Sequence, residues 1–312
     1  MFKNKIEKNN NIYYFNTQNT TSQIIQNFYE RNPFPSYSSL DDKHSIKKKG
    51  ENNFLANQIK KNLGNNKKIL EVGAGTCQIS NFLALGTNNQ VVAFDVTKKS
   101  LEHGSSFATK NDINNVSFVC GDIFQDIFQD NFFDFIWCNG VLHHTKSPKQ
   151  GFKNICKYLK KNGLILVGLY NKYGRFRTVV RQKIYKILGK DLGKKYLEYF
   201  DPMIKDDIKK DKNVLKAWIQ DQYEHPVESL HTFDEIISWF SENNIKPIAS
   251  LPSLKMYNHL NEDFLNDLNL QTDLRKNHNF CNKFNRTFTQ LRMNLNSLGR
   301  DGGLFILVGK KL

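Results

Sequence analysis

Short apolar runs, each closed by an acid or a glycine, alternate with stretches of helical spacing through the middle of the chain. Lys68 to Val72 is the first such run, and the reading is a strand. A helix from Gln78 to about Leu85 follows and stops at Gly86. Gln90 to Phe94, closed by Asp95, gives strand two. A helix from Lys98 to about Lys110 leads to strand three, Val116 to Cys120, closed by Gly121-Asp122. Phe132 to Cys138 is strand four and ends at Asn139-Gly140. Ser147 is a natural N-cap with Pro148 at the first helical position. Phe152, Ile155, Cys156 and Leu159 then form an i, i+3, i+4, i+7 stripe that Asn162-Gly163 terminates. Leu164 to Leu169 is continuously apolar, as a parallel strand covered on both faces must be. Strands alternating with helices in this way imply a parallel sheet built from right-handed crossovers.

Outside this core the rhythm changes. Residues 1 to about 20 are rich in Asn and Lys, which predicts an arm with order near Ile12 to Phe15. A short helix is expected around Ser22 to Glu30. Two prolines within Asn32 to Tyr37 exclude a helix or central strand. Aromatic residues on so rigid a turn either cover a pocket or latch the arm onto the domain. Asn53 to Leu63 reads as a helix with Gly64 as its C-cap. Residues 171 to about 225 read as helices. Thr232-Phe-Asp-Glu235 is a capping box for a helix through Phe240, before a sixth strand, Ile245 to Leu251. About fifty polar residues, 252–301, precede a final strand, Gly303 to Lys310.

Composition narrows the class. Hydrophobic residues make up 39% and charged residues 24% of the 312, a globular balance. No apolar run approaches the roughly 20 residues needed to span a bilayer, and the polar start is not a secretory signal. The expected location is the cytoplasm. Five widely spaced cysteines form no C-x-x-C pair, arguing against structural disulfides and a zinc knuckle. His225 and His231 have no third ligand at a diagnostic spacing, so no metal is expected. The net charge of +15 favours anionic partners, although a Lys- and Asn-rich composition accounts for it equally well.

The chemistry centres on Glu71-Val-Gly-Ala-Gly-Thr76, a glycine turn between a strand and a helix, where α/β sheets bind ligands. Asp95 lies about 20 residues further on, the spacing at which an acid meets ribose hydroxyls. A carboxylate can accept two hydrogen bonds from a vicinal diol. Asp95 also has a plainer reading, as a cap for the next helix. A dinucleotide fingerprint would want glycine at 78, where this chain has Gln78. Gly121-Asp122 alone is only a turn; its value is its place one strand beyond Asp95.

Together these motifs resemble the class I S-adenosylmethionine-dependent methyltransferases, closely over about 65–170 and more weakly at 231–251 and 303–310. The resemblance implies a Rossmann-like α/β fold with a seven-stranded, mostly parallel sheet. Its last strand, Gly303 to Lys310, would be antiparallel and inserted between strands five and six. Residues 1–64 become an N-terminal arm and helical cap, and 65–170 the cofactor-binding core. Residues 171–230 become a helical lid, and 231–312 the rest of the core with a helical insertion at about 252–301. The implied cofactor is S-adenosyl-L-methionine. Its implied contacts are Glu71, Gly73, Ala74, Gly75, Thr76, Gln78, Asp95, Val96, Asp122, Ile123 and Asn139, with Asp122 on the adenine amino group. Cys77 stands where the family has a third glycine.

His143 and His144 follow strand four, where the family faces the methyl group, and are candidate bases; the plainer reading is a packing role. Tyr37, Tyr170, Tyr223 and His225 are candidate substrate contacts. Lys172 to Lys190 carries Phe176, Val179, Val180, Ile184, Ile187 and Leu188 on one stripe and Arg175, Arg177, Arg181, Lys183, Lys186 and Lys190 elsewhere. Such a helix suits a membrane, a phosphate backbone or a partner, but is first read as a lid with a solvated basic face. The expected activity is methyl transfer to a small or medium-sized metabolite at O, N or C, on an acceptor that is anionic if the charge is functional. The alternatives are an RNA or tRNA methyltransferase, a membrane-associated enzyme acting on a lipid or quinone, and a non-catalytic scaffold of the same fold.

Overall fold

A computed structural model of the chain describes residues 1–4, 8–9, 11–31, 33–35, 37, 41–205, 212–254, 282–295 and 302–312. The elements begin with β1 (Lys8–Asn9), β2 (Ile12–Tyr14), α1 (Thr20–Arg31), α2 (Lys43–Asn52) and α3 (Phe54–Leu63). The core follows as β3 (Lys68–Val72), α4 (Gln78–Ala84), β4 (Gln90–Asp95), α5 (Lys98–Lys110), β5 (Val116–Cys120), β6 (Phe133–Asn139), α6 (Pro148–Tyr158) and β7 (Leu159–Tyr170). Then come α7 (Phe176–Phe200), α8 (Lys212–Tyr223), α9 (Phe233–Glu242), β8 (Ile245–Leu251), α10 (Lys283–Arg292) and β9 (Leu304–Lys311).

Among the described residues nine strands join one sheet in the order β1-β2-β5-β4-β3-β6-β7-β9-β8. Strands β2 to β7 pair in parallel with one another, and β9 runs antiparallel to both β7 and β8. The inserted last strand is therefore where the resemblance puts it. The sheet is larger than the expected seven strands because Ile12–Tyr14 pairs with Phe118–Cys120 and extends the β5 edge. An edge strand offers unpaired N–H and C=O groups to any chain that can lie alongside. Here the arm takes them, with the Ile12 side chain buried.

Alternation along the strands gives the sheet two apolar faces. Leu70, Val92, Ile136 and Val167 pack with Phe152, Ile155, Trp239 and Phe240 of α6 and α9. Ile69, Val91, Phe135 and Leu166 pack with Leu55, Ile59, Phe82 and Leu101 of α3, α4 and α5. A third, smaller cluster lies among the helices after β7, built on Tyr185, Leu197, Leu215, Ile219 and Tyr223.

Three boundaries differ from the sequence reading. Helix α2 was not foreseen: its sequence is mostly polar and buries only Ile46 and Gly50. A capping box of Asp42 and Ser45 starts it, and Gly50 lets the Phe82 ring approach too closely for any Cβ. Helix α6 ends at Tyr158, not at Asn162-Gly163, because Leu159 is already extended and pairs with Phe133. The Lys311 ammonium donates to the Cys156 and Leu159 carbonyls at that end (2.9 and 2.7 Å). Helix α7 starts at Phe176 and breaks at Gly189, where φ is 72°. The expected insertion at 252–301 falls mostly outside the described residues, as does Cys281. Among the described residues, no helix is long and apolar enough to cross a membrane.

Candidate functional site

A cavity of about 530 Å³ opens beyond the carboxyl ends of β3, β4, β5 and β6. Its floor is the turn after β3. Gly73 and Gly75 have φ of 67° and 51°, which glycine adopts at no steric cost. Their amides reach across the sheet: Gly73 N–H donates to the Phe94 carbonyl (2.8 Å), and Gly75 N–H to Asp95 Oδ2 (2.8 Å). Cys77 adopts the same left-handed conformation, with φ of 64°. Its sulfur fits because α5 carries a glycine opposite: a Cβ on Gly104 would lie 2.5 Å from Cys77 Sγ.

Four carboxylates line the cavity: Glu71, Asp95 and Asp122 at this end and Asp221 at the other. Glu71 accepts from the Ser80 N–H (2.8 Å) and the Ser80 hydroxyl at the start of α4, and burial pushes its pKa up to about 8. Asp95 also takes the Thr97 N–H on Oδ1 (2.8 Å); burial raises it, and the Gly75 and Thr97 donors oppose the rise. Each Asp95 oxygen thus holds one donor, and an ionised carboxylate has about four acceptor positions. Asp122 accepts from the Phe124 N–H (3.0 Å) and, on Oδ2, from the Thr17 hydroxyl (2.7 Å), which arrives from the residues after β2. Asn139 Oδ1 in the same wall is buried with no hydrogen-bond partner.

The other end of the cavity is polar and aromatic. Tyr29 of α1 donates to Asp221 Oδ1 (2.8 Å). The Gln222 side-chain amide donates to Asp221 Oδ2 and to the Tyr170 hydroxyl, both at 2.8 Å. Behind them lies Arg175, fully buried, with its guanidinium 3.4 Å from the centre of the Tyr170 ring. It donates to both Glu228 oxygens (2.8 and 2.7 Å), to Gln222 Oε1 (2.9 Å) and to the Gly302 carbonyl (2.6 Å).

The two histidines after β6 part company here. His144 lines the cavity, and its Nδ1 lies 2.7 Å from the Val227 carbonyl. A carbonyl only accepts, so Nδ1 carries the proton and Nε2 is left as the basic nitrogen. Burial lowers its pKa, and Asp221 partly restores it. His143 is fully buried, stacked at 3.9 Å on Tyr170, and accepts the Tyr170 N–H on Nδ1 (3.3 Å). It packs the site from beneath and does not line the cavity, a correction to its candidacy as a base.

Of the other candidates, Gly73, Ala74, Gly75, Gln78, Val96, Ile123 and Tyr170 all border the cavity. Thr76 does not; it is buried, with its hydroxyl donating to the Pro35 carbonyl and its N–H to that of Phe34, and so ties residues 33–35 over the loop. Tyr37 also turns away, stacking on Phe107 at 4.5 Å with its oxygen accepting from Asn81. Tyr223 donates to Asp201 within the helical cluster (2.7 Å). His225 stands behind His144, stacked on it at 3.6 Å. These three candidate contacts therefore lie outside the lining. The polar stretch from Asp221 was read as a possible edge of the substrate mouth, and Asp221 and Gln222 do line the cavity; the sequence reading overlooked Trp218, which shares their face of α8, and Ser22, Ile25 and Tyr29, which share one face of α1. Their i, i+3, i+4 and i, i+3, i+7 spacings were the available signal. Among the described residues, no cluster of three or more His, Cys, Asp or Glu side chains could hold a metal ion.

Comparison with known proteins agrees with this geometry. Residues 63–232, just over half of the chain, match the family model described as "Methyltransferase domain". The uncharacterized methyltransferase YcgJ of Bacillus subtilis is 31% identical over 101 residues, 32% of this chain and 39% of that protein. The ubiquinone biosynthesis O-methyltransferase of Rickettsia typhi is 29% identical over 105 residues, 34% of this chain and 42% of that protein. The chain thus spans about two fifths of each relative. Among solved structures, PKMT2 from Rickettsia typhi in complex with AdoHcy has a TM-score of 0.56 at 15% identity, over 83% of this chain and 52% of that one. The geranyl diphosphate C-methyltransferase of Streptomyces coelicolor has a TM-score of 0.53 at 12% identity, over 95% and 100%. With the sheet order of the class I fold and a family model covering most of its core, the chain belongs to the class I, Rossmann-like methyltransferase-domain family.

Proposed function

We propose that this chain transfers a methyl group from S-adenosylmethionine to a small organic acceptor. One observation carries the reading. A single cavity joins a glycine turn and two carboxylates on neighbouring strand tips to a separate polar, aromatic end. Its volume lies within the roughly 300–1,000 Å³ usual for small-molecule sites. Names among the relatives, ubiquinone biosynthesis O-methyltransferase and demethylmenaquinone methyltransferase, support the small-molecule class.

The residues present fit the cofactor. Asp95 keeps acceptor positions for a ribose diol, Asp122 for a ring amine, and the orphaned Asn139 oxygen awaits a donor. The positive-φ turn at Gly73 and Gly75 keeps side chains out of the approach. S-adenosylmethionine supplies a methyl group already activated on a sulfonium. The protein's part is to align the acceptor and exclude water. Asp221, Gln222 and Tyr170 would fix the acceptor's polar groups, and His144 Nε2 would take its proton. Residues of α1 and α8 line the cavity, which supports reading 1–64 as a cap and 171–230 as a lid.

Calorimetric titration with S-adenosylmethionine, its demethylated product and NAD tests the cofactor. The expected result is binding of the first two and not the third. Asp95→Ala should cost about 1–3 kcal/mol of that affinity, the range for stranding hydrogen-bonded partners; unchanged affinity in a folded variant moves the ribose site elsewhere. His144→Asn should leave cofactor affinity intact while lowering turnover by about 10²–10⁴-fold. A variant with parental turnover would remove the base.

A further inference from the structure

Helix α7 packs by the side that its sequence marks as polar. Thr178, Arg181 and Tyr185 are buried. Arg181 donates to the Tyr223 hydroxyl (3.1 Å) and the Thr178 hydroxyl (3.1 Å), and Tyr185 donates to Glu224 (2.6 Å). Of the six apolar residues expected to seat the helix, Val179 and Ile184 are half-buried and the other four point outward. Phe176 is 63% exposed and Ile187 84%, with Val180 between them also exposed. At 3.6 residues per turn these three fall within about 40° of one another. Exposed Arg177, Lys183 and Lys186 flank that line, and residues 176–190 contain no Asp or Glu.

The surface continues beyond this helix. Arg177 donates to the Asn294 carbonyl (2.9 Å), which brings the start of α7 against the end of α10. There Phe288, Leu291 and Leu295 are exposed as well.

We propose that the outer face of α7, with the adjoining end of α10, docks onto an anionic lipid surface. An apolar line flanked by cations is the arrangement that lies in a bilayer interface: the apolar side chains enter the acyl boundary and the ammonium groups reach back to the headgroups. A phosphate backbone would use the cations and leave Ile187 in water. Charge complementarity selects acidic headgroups over neutral ones, in keeping with the +15 net charge. Docking goes beyond the methyl-transfer reading, and it is measured without the methyl donor.

The test is co-sedimentation of the full chain with phosphatidylcholine vesicles and with mixed phosphatidylcholine–phosphatidylglycerol vesicles, with single-stranded RNA as the rival probe. The expected result is partition onto the mixed vesicles that falls with salt, and little onto the neutral ones. Lys183→Glu with Lys186→Glu should lower that partition about a hundredfold. Ile187→Ser should lower it as well while leaving the melting temperature unchanged, since the side chain is 84% exposed. Equal partition onto both vesicle types overturns the proposal. So does parental binding by either variant, or RNA binding that Ile187→Ser leaves intact with no partition onto vesicles.

Discussion

Cys77 and Gly104 show how one position settles the conformation of another. Cys77 holds a left-handed backbone that glycine would adopt freely, and its sulfur occupies the volume Gly104 leaves open. Gly104→Ala would place a methyl group 2.5 Å from that sulfur and 2.8 Å from the Thr76 carbonyl. It should cost about 1–3 kcal/mol, as overpacking in a core does. Adding Cys77→Gly should recover part of the loss, with a coupling of about 0.5–3 kcal/mol between the two sites. Urea denaturation of the four proteins measures it; strict additivity would show that the backbone carbonyl, not the sulfur, sets the limit. Chain pattern revealed Cys77 as a departure from the motif but not its compensation, which lies 27 residues away on another element. The carboxylates were more legible. Asp95 and Asp122 each end a strand in a parallel sheet, so strand assignment alone brings them to one rim.

Among the elements, those packed on the sheet were the readable ones. β3, β4, β5 and α5 have the expected limits to within a residue, because alternation or helical periodicity is imposed by burial on the sheet. Helix α7 was misread for the converse reason. It packs on other helices rather than on the sheet, through hydrogen bonds and the small cluster around Tyr185 and Leu197, so Phe176, Val180 and Ile187 of its apolar stripe face away from the body of the protein. Arg175 is the sharpest case: a sequence scan counts it with the solvated cations, yet among the described residues it is one of the largest fully buried side chains. It ties the start of α7 to α8, to Glu228 and to the Gly302 turn. No local pattern could disclose that, since its partners lie 47, 53 and 127 residues away.

At the scale of the whole molecule, buried titrating groups set the pH range. Burial holds His143 and His144 below their ordinary range and His225 at about 3, all three helped by nearby Arg175. With the folded pKa below the unfolded value of about 6.5, the unfolded chain binds more protons in acid. The stability these groups permit is complete above pH 6.5 and is lost as pH falls below it, for His225 until about 3. The slope is at most about 1.4 kcal/mol per pH unit for each histidine left neutral. Glu71, raised to about 8, acts in the opposite sense: its contribution is fullest below the unfolded carboxylate value of about 4.3 and is lost as pH climbs towards 8. Urea midpoints should therefore fall from pH 6.5 to pH 5, and the fall should shrink in His225→Phe. An unchanged acid slope in that variant would free His225 of the effect.

Thr17 holds one oxygen of the carboxylate at the tip of β5, and three residues before it the chain is a strand of the sheet. A ligand that donates to Asp122 therefore meets an oxygen already engaged by the opening residues. Whether the two share the carboxylate or contend for it, linkage makes the influence mutual and equal in size. Whatever the docked arm adds to or subtracts from the ligand's affinity, the ligand returns to the arm.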